Sequence, residues 1–183
     1  GVVGYKTHSK MLLIVRREGG KLRRYVHLGT GNYHSGTARA YTDFSYMTAR
    51  PEVGADVHAL FLQLTGLGRP EKLQALLQSP FTLKDKLVEH IEFEIGEAQA
   101  GRKAHIIAKL NSLNEPVVMR ALARASMAGV KVDLIVRGVC CLRPGVEGIT
   151  HNIRIRSVLG RFLEHTRVYY FHAAGAEDVY LAS

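Results

Sequence analysis

Ile106-Ile107-Ala108-Lys109-Leu110, a stretch from Pro116 to Met127, then Val132-Asp133-Leu134-Ile135-Val136: this order decides the fold class. Two apolar runs flank a segment long enough for a helix. A connection of that length between two such strands implies a parallel βαβ unit with a right-handed crossover. Arg137-Gly138 lies just past the second strand, at the carboxyl end where open α/β sheets bind ligands.

Working toward the N-terminus, Leu83, Leu87, His90, Ile91 and Glu94 mark a long helix that closes near Gly101. Ser79-Pro80 supplies a stop and a fresh start, which sets a half-domain boundary between 1–78 and 79–183. Before it, Val53, Val57, Leu60, Phe61 and Leu64 recur on one helical face from Val53 to Thr65. Gly66-Leu67-Gly68-Arg69-Pro70 breaks that helix, and a short one follows over Glu71 to Leu77. Met11 to Val15 and Arg24 to Leu28, joined through Gly19-Gly20, form a hairpin that ends in Gly29-Thr30-Gly31-Asn32. The glycines there leave backbone N–H groups free to face an anion. A loop through Thr37-Ala38-Arg39 leads to a strand over Tyr41 to Tyr46. Beyond the βαβ unit, strands are expected at Ile153–Val158, Val168–Phe171 and Val179–Leu181.

Composition narrows the partners. A chain of 183 residues can bury a core, and its 46% hydrophobic and 22% charged residues are ordinary globular values. No apolar run approaches the ~18 residues of a spanning helix, and no charged-then-apolar leader opens the sequence, so a soluble, cytoplasmic chain without membrane insertion is expected. The adjacent Cys140-Cys141 pair suits neither a disulfide nor a zinc site, and both residues are expected to be small buried ones. Lys and Arg (25) exceed Asp and Glu (16), a net charge of +9 that concentrates polyanions. Aromatics make up 8% with no tryptophan and do not interleave with the cations, which disfavours nucleic acid.

Chemistry concentrates in two phrases, Tyr5-Lys6-Thr7-His8-Ser9-Lys10 and Phe162-Leu163-Glu164-His165-Thr166-Arg167. Each sets a histidine two residues before a cation and runs into an apolar strand. A neutral imidazole can attack phosphorus while the cation holds oxyanions, which suits phosphoryl chemistry. The phrases rhyme further: each leads to a strand, a turn and a second strand. The second copy stops in what reads as mid-strand, so the chain is expected to be a fragment carrying an internal duplication.

His-x-Lys, a strand, then Gly-Thr-Gly-Asn resembles the phospholipase D superfamily, in which two such repeats build one site. The closer likeness is to the polyphosphate kinase family. It is carried, in order, by Lys6-Thr-His8-Ser-Lys10, Tyr25-Val-His-Leu-Gly-Thr-Gly-Asn32, Thr37-Ala-Arg-Ala-Tyr-Thr-Asp43, Leu134-Ile-Val-Arg-Gly138, Asn152-Ile-Arg-Ile-Arg156 and Phe162 to Arg167. Collinear motifs over nearly the whole chain are far more specific than one short signature.

The resemblance implies an α/β fold of two phospholipase D-like half-domains, with mixed β-sheets flanked by helices, present here as a fragment. It implies reversible transfer of the ATP γ-phosphate to polyphosphate, with His8 as the phosphohistidine nucleophile and His165 as acid or transition-state partner. Tyr41 and Arg137 would contact ATP, with Lys10, His165 and Arg167 around its phosphates. Mg²⁺ would come with ATP, no metal ligand lies within the fragment, and the family's magnesium-contacting arginines fall upstream of Gly1. Inorganic polyphosphate and ADP are the other small partners. The full-length protein is expected to form homo-oligomers, and the fragment alone to be weakly active or inactive.

Taken singly, each residue has another reading: His8 as a structural histidine at a strand start, Lys10 as a solvated edge lysine, Tyr41 as a half-buried strand aromatic, Arg137 as a surface turn cation. Asp43 is assigned only a supporting polar contact, and the remaining histidines lack metal-ligand spacing. The superfamily's aspartate downstream of His-x-Lys is missing after both histidines, where Arg16-Arg17 and Phe171-His172 stand. That departure weakens a second reading as a phospholipase D-type phosphodiesterase. A third is a non-catalytic polyanion-binding module.

Overall fold

The structure, a computed structural model, describes residues 4–66 and 72–183. In chain order the elements are β1 (Lys10–Glu18), β2 (Lys21–Gly29), α1 (Ser35–Ala40), β3 (Tyr41–Thr42), β4 (Ser45–Thr48), α2 (Pro51–Leu64), α3 (Leu83–Gln99), β5 (His105–Leu110), α4 (Pro116–Met127), β6 (Lys131–Val136), β7 (Ile153–Arg156), β8 (Leu163–Glu164), β9 (Arg167–Phe171) and β10 (Asp178–Ala182), with a 3₁₀ turn at Ala173–Gly175. Contacts divide the chain into two compact units. One comprises Gly1–Arg39, Asp43–Leu77 and Ser183; the other comprises Ala40–Thr42 and Gln78–Ala182.

In the first unit β1 and β2 pair antiparallel from Lys10↔Gly29 to Glu18↔Lys21, and β4 adds to the far side of β2. Gly19 and Gly20 both have positive φ, 55° and 77°, the geometry of a two-residue type I′ hairpin, whose twist matches that of the strands. Side chains alternate across a strand, so Leu13, Val26 and Leu28 share the face that α2 covers. Val26, Val53 and Val57 form its buried centre. Leu12 and Ile14 point the other way and stay exposed.

The second unit holds a five-stranded sheet in the order β10-β9-β5-β6-β7. β5, β6 and β7 run parallel, while β9 and β10 are antiparallel additions. Ile106, Ala108, Val132, Leu134, Val136, Ile153 and Phe171 bury one face of the sheet against α3 and α4. Burying each large side chain there contributes about 1.5–3 kcal/mol. α4 begins at Pro116 and is capped by Glu115, whose carboxylate accepts from the Val118 amide at 2.8 Å. The fully buried Glu94 of α3 accepts from the His105 amide at 2.9 Å and the Ala173 amide at 2.5 Å, tying helix to sheet.

The mixed α/β class, the hairpin and the βαβ unit stand as read from the sequence. Several local expectations do not. Tyr41 to Tyr46 is not one strand: β3 and β4 belong to different sheets, with Asp43 and Phe44 between them. The expected loop at Thr37–Arg39 lies in α1. Of the helix expected over Glu71–Leu77, residues 72–77 are non-helical, and Glu71 lies outside the described residues, as does most of the 66–70 break. Asp56, 3% exposed, captures the amides of Gln74, Ala75 and Leu76 at 2.7–3.0 Å, giving them partners that a helix would otherwise supply. The strand expected to reach Val158 ends at Arg156. Cys140 and Cys141 are exposed free thiols rather than buried residues. Among the described residues no helix is long and apolar enough to cross a membrane.

Candidate active site

In the second unit the candidate residues gather at the carboxyl end of the parallel strands. Arg137 follows β6 directly; its amide donates to the Leu110 carbonyl at 3.1 Å, and the Gly138 amide to Asn111 at 2.8 Å. A Cβ on Gly138 would lie 2.9 Å from the Asn111 carbonyl, so the two turns meet too closely for a side chain. The Arg137 guanidinium donates to the Glu164 carbonyl at 3.1 Å. On β5 the alternation that buries Ala108 sends Lys109 to the opposite face, where its ammonium meets the Glu164 carboxylate at 2.7 Å.

His165, only 8% exposed, follows β8. β8 pairs in parallel with β3, Tyr41 opposite Leu163 and Thr42 opposite Glu164. Three side-chain bonds reinforce this two-residue ladder: the Thr42 hydroxyl reaches the Glu164 carboxylate at 3.1 Å and the Leu163 carbonyl at 3.3 Å, and the Thr166 hydroxyl donates to the Thr42 carbonyl at 3.0 Å. The result sets the Tyr41 and His165 rings 5.3 Å apart, tilted by 39°. Arg167 donates to the His165 carbonyl at 2.8 Å. Hydrogen bonds from Lys109 and then Thr42 hold the Glu164 carboxyl below its ordinary range, against the opposing pull of desolvation.

On the same face as Lys109, a cleft of about 300 Å³ is lined by Ile107, Lys131, Asp133, Ile135, Arg154 and Arg156. Its cations come from the Asn152-Ile-Arg-Ile-Arg156 phrase and from β6.

In the first unit His8 is exposed, just before β1, and Lys10 is buried as the first strand residue. The Lys10 ammonium lies 2.8 Å from His8 Nδ1 and 3.2 Å from Nε2, and donates to the His8 carbonyl at 2.5 Å. An ammonium can only donate, so the ring nitrogen it meets is the acceptor. Lys10 stands opposite Gly29, which opens the Gly-Thr-Gly-Asn turn.

That turn differs from its expectation. The Thr30 amide is not free for an anion; it donates to the Phe44 carbonyl at 3.0 Å. The Thr30 hydroxyl donates to Asp43 at 2.7 Å and accepts from the Phe44 amide at 2.9 Å. A Cβ on Gly31 would fall 2.3 Å from Asp43 Oδ2, so this glycine makes room for the carboxylate. The polar contact that Asp43 makes here is with Thr30 of this turn.

The structure therefore brings Tyr41, Arg137, His165 and Arg167 together in the second unit, and His8 with Lys10 in the first. Lys109, Thr42 and Glu164 were missed by sequence reasoning, although Glu164 sits inside a quoted motif. The available signal was a charged residue in an apolar strand. Among the described residues no three His, Cys, Asp or Glu side chains converge as a metal cluster would.

Comparison with known proteins gives a consistent picture. The family described as Polyphosphate kinase C-terminal domain 1 matches residues 1–70, and Polyphosphate kinase C-terminal domain 2 matches residues 76–183. The whole chain is 66% identical to the polyphosphate kinase of Xylella fastidiosa strain 9a5c, covering 26% of that protein. It is 58% identical, again over its whole length and 26% of the relative, to the enzyme of that name from Pseudomonas aeruginosa PAO1. The crystal structure of polyphosphate kinase from Porphyromonas gingivalis superposes on 98% of this chain with a TM-score of 0.90 at 36% identity, using 28% of that chain. The present chain spans about a quarter of the length of these relatives.

Proposed function

The chain belongs to the polyphosphate kinase family, and from that premise we propose that it forms the part of such a kinase that moves the γ-phosphate of ATP reversibly to polyphosphate through a phosphohistidine on His8. A ring nitrogen of His8 attacks the γ-phosphorus. The new N–P bond forms as the bond to the β–γ bridging oxygen breaks, and ADP departs with that electron pair. A terminal oxygen of polyphosphate then attacks the phosphohistidine, restoring the imidazole and lengthening the chain by one phosphate.

Lys10 already sits on the His8 ring nitrogens. Incoming phosphate oxygens would draw its ammonium off the lone pair and bind it themselves, which frees the nucleophile and screens the charge that develops. Arg137 and Arg167 present guanidinium forks suited to phosphate. Tyr41 offers an aromatic face to the adenine, and His165 acts as acid or transition-state partner. Magnesium, arriving on the nucleotide phosphates, would screen their charge.

One observation carries the reading: Tyr41, Arg137 and His165, assigned to ATP from three distant motifs, lie around one short ladder in a single unit. The test is a chimera in which this chain replaces the matching quarter of the Xylella fastidiosa enzyme. Given ATP labelled at the γ-phosphate, it should acquire acid-labile, base-stable label that His8→Ala removes. Cleavage of a phosphodiester without nucleotide would support a phospholipase D-type activity instead. Polyanion binding with neither reaction would leave a binding module.

A further inference from the structure

Glu164 occupies a position that the phosphoryl-transfer scheme does not use. It is covalently next to His165, and its carboxylate accepts from the hydroxyl of Thr42, the residue next to Tyr41. Thus it touches the neighbours of both members of the ring pair. Three elements grip it: Lys109 of β5 and Thr42 of β3 at the carboxylate, and Arg137 at the end of β6 through the carbonyl.

The grip matters because β3 and β8 are each two residues long, too short to fix a register firmly by backbone bonds alone. β5, by contrast, pairs on both sides within the five-stranded sheet and is backed by the deepest part of the core. Lys109 is therefore a rigid post. The Lys109 and Glu164 side chains are 19% and 27% exposed, so this ion pair is better shielded from solvent and salt than a pair on the open surface.

We infer that Glu164 and Lys109 are positioning residues: their ion pair pins the β3–β8 ladder to the central sheet and so sets His165 against Tyr41 in the arrangement that receives the nucleotide. This rests on the nucleotide reading above only in its last clause. The depressed Glu164 carboxyl agrees with a charge held in place by its partners. Arg137 has two tasks here, since the group that would meet phosphate also steadies the residue before His165.

The experiment separates placement from substrate. In the chimera with the Xylella fastidiosa enzyme, carrying ¹³C-labelled histidine, the His165 ring signal is assigned with His165→Gln and its dependence on Tyr41 is fixed with Tyr41→Leu. Glu164→Ala and Lys109→Met should each move the His165 signal toward its position in Tyr41→Leu, whereas Lys109→Arg, which keeps charge and donors, should hold it near the wild-type position. Methyl signals of Ile106 and Leu134 report that the sheet remains folded. Magnesium–ATP titrated into the same samples should bind about tenfold more weakly to Glu164→Ala and Lys109→Met, the loss of one charge-assisted hydrogen bond. Unmoved His165 signals in both variants, with Tyr41→Leu shifted, would overturn the inference. ATP binding that fails even in the wild type would strike the kinase reading, while the ring signals still decide the placement.

Discussion

The two histidine phrases begin alike and are housed differently. In both, the cation two residues on donates to the histidine's own carbonyl, Lys10 to His8 at 2.5 Å and Arg167 to His165 at 2.8 Å. Yet His8 is exposed with its lysine at the ring nitrogens, whereas His165 is 8% exposed and packed on Tyr41. The sheets behind them differ too. The first has a small valine centre, the second a core that runs through two helices. A repeated motif therefore fixes a local backbone conformation, while its surroundings differ: an exposed imidazole in one copy and an enclosed one in the other, a difference that the proposed roles of nucleophile and partner would use.

The contrast breaks most directly in the chimera. His8→Ala should abolish the phosphoenzyme, whereas His165→Ala should slow its formation by about 10²–10⁴-fold, the scale of a lost acid, and still reach full labelling in time. Label that survives His8→Ala and vanishes with His165→Ala would reverse the roles. Next in size is core depth. Leu134→Ala, which empties a site 1% exposed, should cost about 2–5 kcal/mol in urea unfolding, and Leu13→Ala, at a partly buried site, clearly less. Equal costs would show that the two cores do not differ as described.

On the proposed mechanism Lys10→Met should lower the rate of His8 labelling by about 10–100-fold, since the charge that would meet the transferring phosphate is lost while the hairpin stays intact. Arg167→Met should cost less if its guanidinium mainly holds the carbonyl. A smaller effect concerns pH. The Glu164 carboxyl is depressed, chiefly by the Lys109 hydrogen bond, so the stability it contributes is complete above the ordinary glutamate range and is lost as pH falls through its lower folded value. Melting temperatures of wild type and Glu164→Gln should accordingly converge on acidification. A gap that is constant through that range would remove the ionised carboxylate from the account.

The least effect lies in the turns that follow each histidine strand. The first uses Gly19 and Gly20 at positive φ, the second places Ala173 and Ala174 there, at 47° and 54°. Ala174→Gly relieves a left-handed alanine and costs backbone entropy, for a net stabilisation of about 0.5 kcal/mol by thermal melting. Gly20→Ala should go the other way by a similar or larger amount.

Legibility followed the length of the signal. α4 runs over Pro116–Met127, as its spacing and flanking proline indicate, and the β1–β2 hairpin is marked by its glycine pair. Tyr41 to Tyr46 misled because aromatic and β-branched residues favour extended backbone without saying which sheet receives them. Asp43 and Phe44, held by Thr30, turn the chain out of one ladder and into another. Residues 72–77 have good helix formers, but the buried Asp56 takes their amides instead. The site residues named from motifs were found near one another within each unit. The pairing of their supports was not legible, because Lys109 and Glu164 are 55 positions apart and nothing local joins a charged residue in an apolar strand to a motif that distant.

By itself, the sequence determined the periodic elements, the order of strands and helices around the βαβ unit, and the two histidine–cation phrases. These depend on neighbours within a few residues, where backbone geometry and side-chain spacing suffice. Tertiary structure alone decided that Tyr41 and Thr42 pair with Leu163 and Glu164, that an ion pair from β5 anchors them, and that one histidine is open while the other is enclosed. Such contacts join segments whose proximity is set by closing a common core, a property of the whole chain rather than of any stretch of it.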